Sequence, residues 1–171
     1  MKHQTQTGKF IALTYLIGGI VGVLQILPQL NRVSLDPVSA FAWLILLAQI
    51  AVAVYGGWQL WNFRPIGIQL LYWLSWSCVP VFSMIGIKYW CVIGFGLLPT
   101  FSFGFGHTSN NLSFHLGYES TLWFNFDGGN ILLGLNIIAL WFALALTKML
   151  RENRIKRWPL LWSKDKDQKL H

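Results

Sequence analysis

Apolar residues gather in four long stretches, 10–27, 38–61, 66–87 and 131–146, and none of them contains Asp, Glu, Lys, Arg or His. A bilayer core about 30 Å thick takes roughly 20 helical residues to cross, and each stretch is near that length. The pattern predicts an all-α membrane protein: a four-transmembrane-helix bundle with a small β-hairpin-like outer segment between helices 3 and 4. The expected division is one integral domain over 1–171, with spans at 10–27, 38–61, 66–87 and 131–148. An outer segment fills 88–129 and a basic cytoplasmic tail fills 149–171. A signal peptide is the competing reading of the first stretch. Its apolar run exceeds the roughly 7–15 residues of a signal core and lacks a small-x-small cleavage site.

Local signals refine the spans. Gly18 and Gly22 form a small-xxx-small pair, expected to let the first helix pack closely inside the bundle. Pro28 should end that helix, and Asp36-Pro37 should start the second. Asn62-Phe63-Arg64-Pro65 reads as a tight turn joining helices two and three as an antiparallel hairpin. Pro80, within the third stretch, predicts a kink. Asn130 is expected to cap the fourth helix and Asn136 to bond to another helix.

Between the third and fourth stretches the pattern changes. Phe101-Ser102-Phe103-Gly104-Phe105 and Leu112-Ser113-Phe114-His115-Leu116 alternate with period two, the signature of a strand with one apolar face. The Gly/Ser/Asn-rich 106–111 between them is a turn signal. A small antiparallel sheet is expected across the outer mouth of the bundle, its aromatic face on helix ends or in the headgroups.

Composition agrees: 54% of residues are hydrophobic and 11% charged, against about a quarter charged in ordinary soluble domains. The net charge of +7 reads as topology rather than nucleic-acid binding. With four crossings, Lys2, Lys9, Arg64 and the eight cations from Lys148 to Lys169 share one side, leaving Arg32 and Lys88 opposite. The positive-inside rule then puts both termini in the cytoplasm, with the plasma membrane (a bacterial inner membrane) as the location. Arg151, Arg154, Lys156 and Arg157 are the candidate contacts to anionic lipid headgroups.

Chemistry is sparse. No nucleotide-binding, nucleophile-elbow, zinc or haem motif occurs, so no cofactor and no enzymatic activity are expected. His107 and His115 are weak metal candidates, with Cys91 or Glu119 as a third ligand, because zinc and copper sites need three or four converging donors. Ser113 with His115, or Glu119 with Asp127, would be a catalytic pair only if folding brought its members together. Cys78 and Cys91, thirteen residues apart, are expected to lie too far apart to bond. The leading functional expectation is a non-enzymatic accessory or scaffold partner of other membrane components, or a self-associating one. The alternative is a binder or transporter of a lipid or small apolar molecule, with a cavity near Pro80 lined by Trp73, Trp76, Ser77 and Phe82.

Overall fold

A computed structural model describes residues 2–28, 37–84, 87–104, 107–124 and 131–153. Four helices and four strands follow in the order α1 (Lys2–Ile26), α2 (Pro37–Trp61), α3 (Pro65–Ser77), β1 (Pro80–Met84), β2 (Ile87–Gly104), β3 (His107–Phe124), β4 (Ile131–Leu135) and α4 (Ile137–Glu152). The all-α four-helix reading is therefore wrong. Among the described residues two helices, not four, are long and apolar enough to cross a membrane: Gln6–Ile26 within α1, and α2. At 1.5 Å per residue the 13-residue α3 and the 16-residue α4 reach about 20 and 24 Å, short of a bilayer core of about 30 Å.

Proline and asparagine account for both corrections. Pro80 ends helix three instead of kinking it. Cys78 is the C-cap, its N–H bonded back to Leu74 and Ser75 carbonyls, and Val79 precedes a proline, which disfavours helical backbone. The β-branched and aromatic run that follows then enters β1. In the fourth stretch the first five residues are strand β4, and α4 starts only after Asn136. The Asn136 side chain accepts from Ala139 N–H at 3.1 Å, and its own N–H donates to Val79 O at 2.8 Å. Asn136 is thus an N-cap rather than an interhelical tie. Asp36, the outer connection 29–36 and the expected cap at Asn130 lie outside the described residues.

The helices assemble at one end. The α2–α3 turn closes through Arg64 N–H to Gln59 O at 2.9 Å, with Phe63 at φ +55°, so the expected antiparallel hairpin is present. Gly56 accepts Leu71, Gly57 accepts Leu16 and Gly67 lies against the Leu60 backbone. Ile11, Tyr15, Leu60, Leu71, Phe142 and Leu146 fill the core between the four helices, all under 2% exposed.

The sheet is far larger than a cap. β2 and β3 are 18 residues each and pair antiparallel along their whole length, from Ile87–Phe124 to Gly104–His107. On its other edge β2 pairs with β1 at 87–89 and with β4 at 100–103, while β1 and β4 pair with each other. The ladder β1–β4–β2 therefore returns on itself, which requires β2 to bend. Gly94 and Gly117, opposite one another in the hairpin, adopt φ +84° and +108°, conformations that side chains disfavour. Val81, Val92 and Leu98, with Trp90 and Leu132 beside them, make a small second core.

Exposure on the distal hairpin is inverted relative to a soluble sheet. Leu112, Phe114 and Leu116 are 63–72% exposed, and Phe101 and Phe103 are 50% exposed. The alternation expected from sequence is present, but its apolar face is largely uncovered rather than seated on helix ends, with Leu116 bordering α1.

Candidate functional site

Three local arrangements stand out, and the first is a groove between α1 and the bend of the hairpin. Gly18 on α1 sits against the Gly94 backbone, and Gly22 receives the Tyr118 ring. The small pair thus packs α1 on strands, while Gly19 takes Val54 of α2. Beside this contact opens a cavity of about 430 Å³, lined by Phe10, Leu13, Thr14, Ile17, Val21, Phe95 and Leu116, with Gly94 and Gly117 at its floor. Its volume falls in the roughly 300–1,000 Å³ range of ligand pockets. Phe10 and Phe95 stack across it at 6.5 Å. The hydroxyl of Thr14 is spent on Phe10 O at 2.9 Å, so the walls present mostly hydrocarbon.

The second arrangement is a buried polar cluster centred on Gln49, at the middle of α2. Its Nε2 donates to Tyr89 OH at 3.2 Å, and its Oε1 accepts from Ser120 Oγ at 3.1 Å and from Cys91 Sγ at 3.7 Å. Tyr89 OH donates onward to Ser77 O at 2.7 Å. The sulfurs of Cys78 and Cys91 are 2.7 Å apart, and both residues are buried. The expectation that these cysteines lie too far apart is overturned. The chain between them folds back as β1 paired to β2, bringing their ends together. Burial and the contact with Cys91 hold the Cys78 thiol well above its usual range, the contact being the larger cause. A cavity of about 370 Å³ lined by Gln25, Trp43, Tyr118, Glu119 and Ser120 opens beside the cluster.

The third lies on the opposite face of β3. His115 Nε2 is 3.0 Å from Ser113 Oγ, and its Nδ1 pairs with the Glu119 carboxylate. The ring stands edge-on to Trp90 at 5.1 Å. The connectivity is that of a hydroxyl, a base and an orienting carboxylate in series. The three residues share one strand, so the series ties β3 together across its bend at Gly117.

The metal expectation finds no support here. Cys91 points to the helices while His115 and Glu119 are engaged with each other, and the side chain of His107 lies outside the described part. Among the described residues no three His, Cys, Asp or Glu groups converge. The residues expected to line a cavity near Pro80 are spread out. Trp73 and Trp76 stand 41% and 38% exposed on α3, packed edge-on to Tyr72. Ser77 bonds back to Leu74 O, and Phe82 leans on Tyr89. The two cavities described above are lined by other residues. Of the headgroup candidates, Arg151 lies in the last turn of α4; Arg154, Lys156 and Arg157 lie outside the described residues.

No family model matches the chain, and neither a curated protein nor a solved structure does.

Proposed function

We propose that this chain is an integral protein of the plasma membrane, a bacterial inner membrane, and that its α1–hairpin groove holds an acyl chain or a similarly apolar molecule drawn from the bilayer. The observation that carries the reading is the groove itself. One wall is α1, whose Leu13, Ile17 and Val21 belong to a segment long enough to cross a membrane. A cavity with such a wall is continuous with the hydrocarbon phase, so its natural occupant is the hydrocarbon of a lipid. Exposure supports membrane residence. Only 17% of the apolar window of α2 is buried, whereas the core helix of a soluble protein buries most of such a window. The uncovered side chains include Phe41, Leu44, Leu47 and Tyr55.

Orientation follows from charge. Gly8 lies against Met149 and Leu60, and the Lys9 ammonium lies 5.7 Å from the rings of Trp61 and Phe63. The start of α1, the α2–α3 turn and the end of α4 therefore share one end, which carries Lys9, Arg64, Lys148 and Arg151. That basic end faces the cytoplasm and its anionic headgroups.

The test is native mass spectrometry of protein extracted in a mild detergent. One lipid or fatty acid should stay bound to the wild type, and the groove-filling Ile17→Trp should lose most of it. Equal retention by both proteins removes the groove from consideration. A second reading, a self-associating scaffold, is favoured by the bare Leu112, Phe114 and Leu116 face. Cross-linked dimers in native membranes that vanish in Phe114→Lys would support it.

A further inference from the structure

Two buried thiols meet at the junction of the helical and strand parts of this protein. Cys78 caps α3 and Cys91 lies within β2; they are 1% and 0% exposed, with their sulfurs 2.7 Å apart. Their positions are set by the fold rather than by flexible side chains. The β1–β2 register, Phe82 with Tyr89 and Ser83 with Lys88, brings β2 back to the end of α3. Tyr89 OH then bonds Ser77 O across the same gap. A thiol pair held so closely needs almost no movement to be joined.

We infer that Cys78 and Cys91 form an intramolecular disulfide in the native membrane. It would tie α3 to the hairpin and close a loop that contains all of β1. The inference rests on the orientation proposed above. Cys78 ends the helix that leads away from the basic, cytoplasmic end, about 20 Å along α3. Cys91 meets Gln49 at the middle of α2, so the folded pair lies at mid-membrane depth, and the loop leading on from Cys78 reaches toward the non-cytoplasmic side, where disulfides form and persist. The reaction is thiol–disulfide exchange with a disulfide-bearing oxidant: the two cysteine thiols lose two protons and two electrons, one S–S bond forms, and the oxidant's disulfide is reduced to two thiols. Both sulfurs are covered in the finished fold, so the bond is made while the hairpin is still docking and is shielded afterwards. Such a bond is structural, because no exchange partner reaches it in the folded protein.

The experiment uses the full-length chain in the membranes of the cells that made it. Membranes are quenched in acid, denatured in SDS and treated with a mass-tagged maleimide, before or after reduction. The expected result is no tag on the monomer without reductant and two tags after it. Cys78→Ser should take one tag without reductant, because Cys91 has lost its only mate. Two tags on the unreduced wild type overturn the inference, as does a disulfide-linked dimer, or a Cys78→Ser protein that stays untagged. The orientation is read separately, by protease access to a tag placed after residue 171 in sealed inside-out and right-side-out vesicles. A reduced pair in a correctly oriented protein removes the disulfide alone, whereas an external tail removes the orientation whatever the thiols show.

Discussion

Gly18 of α1 lies directly on Gly94 of β2: a methyl group on Gly18 would sit 2.3 Å from the Gly94 nitrogen and 2.8 Å from its Cα. The neighbour is backbone, in a strand already bent there at φ +84°, so neither side can give way cheaply. This contact fixes the floor of the apolar groove.

Gly18→Ala is therefore expected to destabilise the protein by about 1–3 kcal/mol through overpacking, despite the better helix propensity of alanine. Gly8 supplies the contrast, since a methyl there meets only the side chains of Met149 and Leu60, at an ordinary 3.6 and 4.0 Å. Gly8→Ala should be neutral or stabilising by up to about 1 kcal/mol. Urea unfolding in detergent micelles, followed by circular dichroism, measures both. Equal stability of the two variants would mean that α1 does not dock on the hairpin.

Gln49 holds Tyr89 and Ser120 at once, so replacing it by leucine strands the Ser120 hydroxyl and removes the Tyr89 partner. The expected loss is about 1–3 kcal/mol. Adding Ser120→Ala to Gln49→Leu should recover part of it, because the orphaned hydroxyl is then gone. Strict additivity of the two substitutions would show that the cluster does not act as a unit.

Asn136→Ala removes the acceptor for Ala139 N–H and should cost about 0.5–2 kcal/mol. Asn136→Ser should restore most of it if the residue acts as a cap. An interhelical bond, the role expected from sequence, would leave serine no better than alanine. Thermal melts of the three proteins separate these outcomes.

Tyr89 and Tyr118 are both held above the ordinary phenol range, chiefly by removal from water. An acid whose folded pKa is raised favours folding fully below its unfolded value, near pH 10, and loses that contribution as the pH rises above it. The melting temperature should thus fall on the alkaline side of about pH 10. Phenolate absorbance from these two residues should appear only as the protein unfolds. Ionisation of all five tyrosines in the folded state near pH 10 would contradict their placement.

The first two apolar stretches were legible because they are long and uninterrupted; α1 and α2 hold them almost residue for residue. The strands at Phe101–Phe103 and Leu112–Leu116 were legible too, through their alternation. The third stretch hides its break because Pro80 reads equally as a kink or as an end, and the fourth because its first five residues carry no polar position and so no period. Ile131–Leu135 is apolar at every position except Gly134, so strand and helix look alike. In the structure it alternates between exposed and half-buried faces. Of the site, the glycines of α1 stand out in the sequence but their partner does not, since a small residue says only that something comes close.

Alone, the order of residues determined how much hydrocarbon the chain carries and where its cations fall, because both are sums over local composition. Long-range pairing decided the rest. Closing β1 and β4 onto the two ends of β2 satisfied backbone groups that a helix would have satisfied internally. That choice brought Cys78 to Cys91, put Gly18 on Gly94, and left the aromatic face of the hairpin largely uncovered.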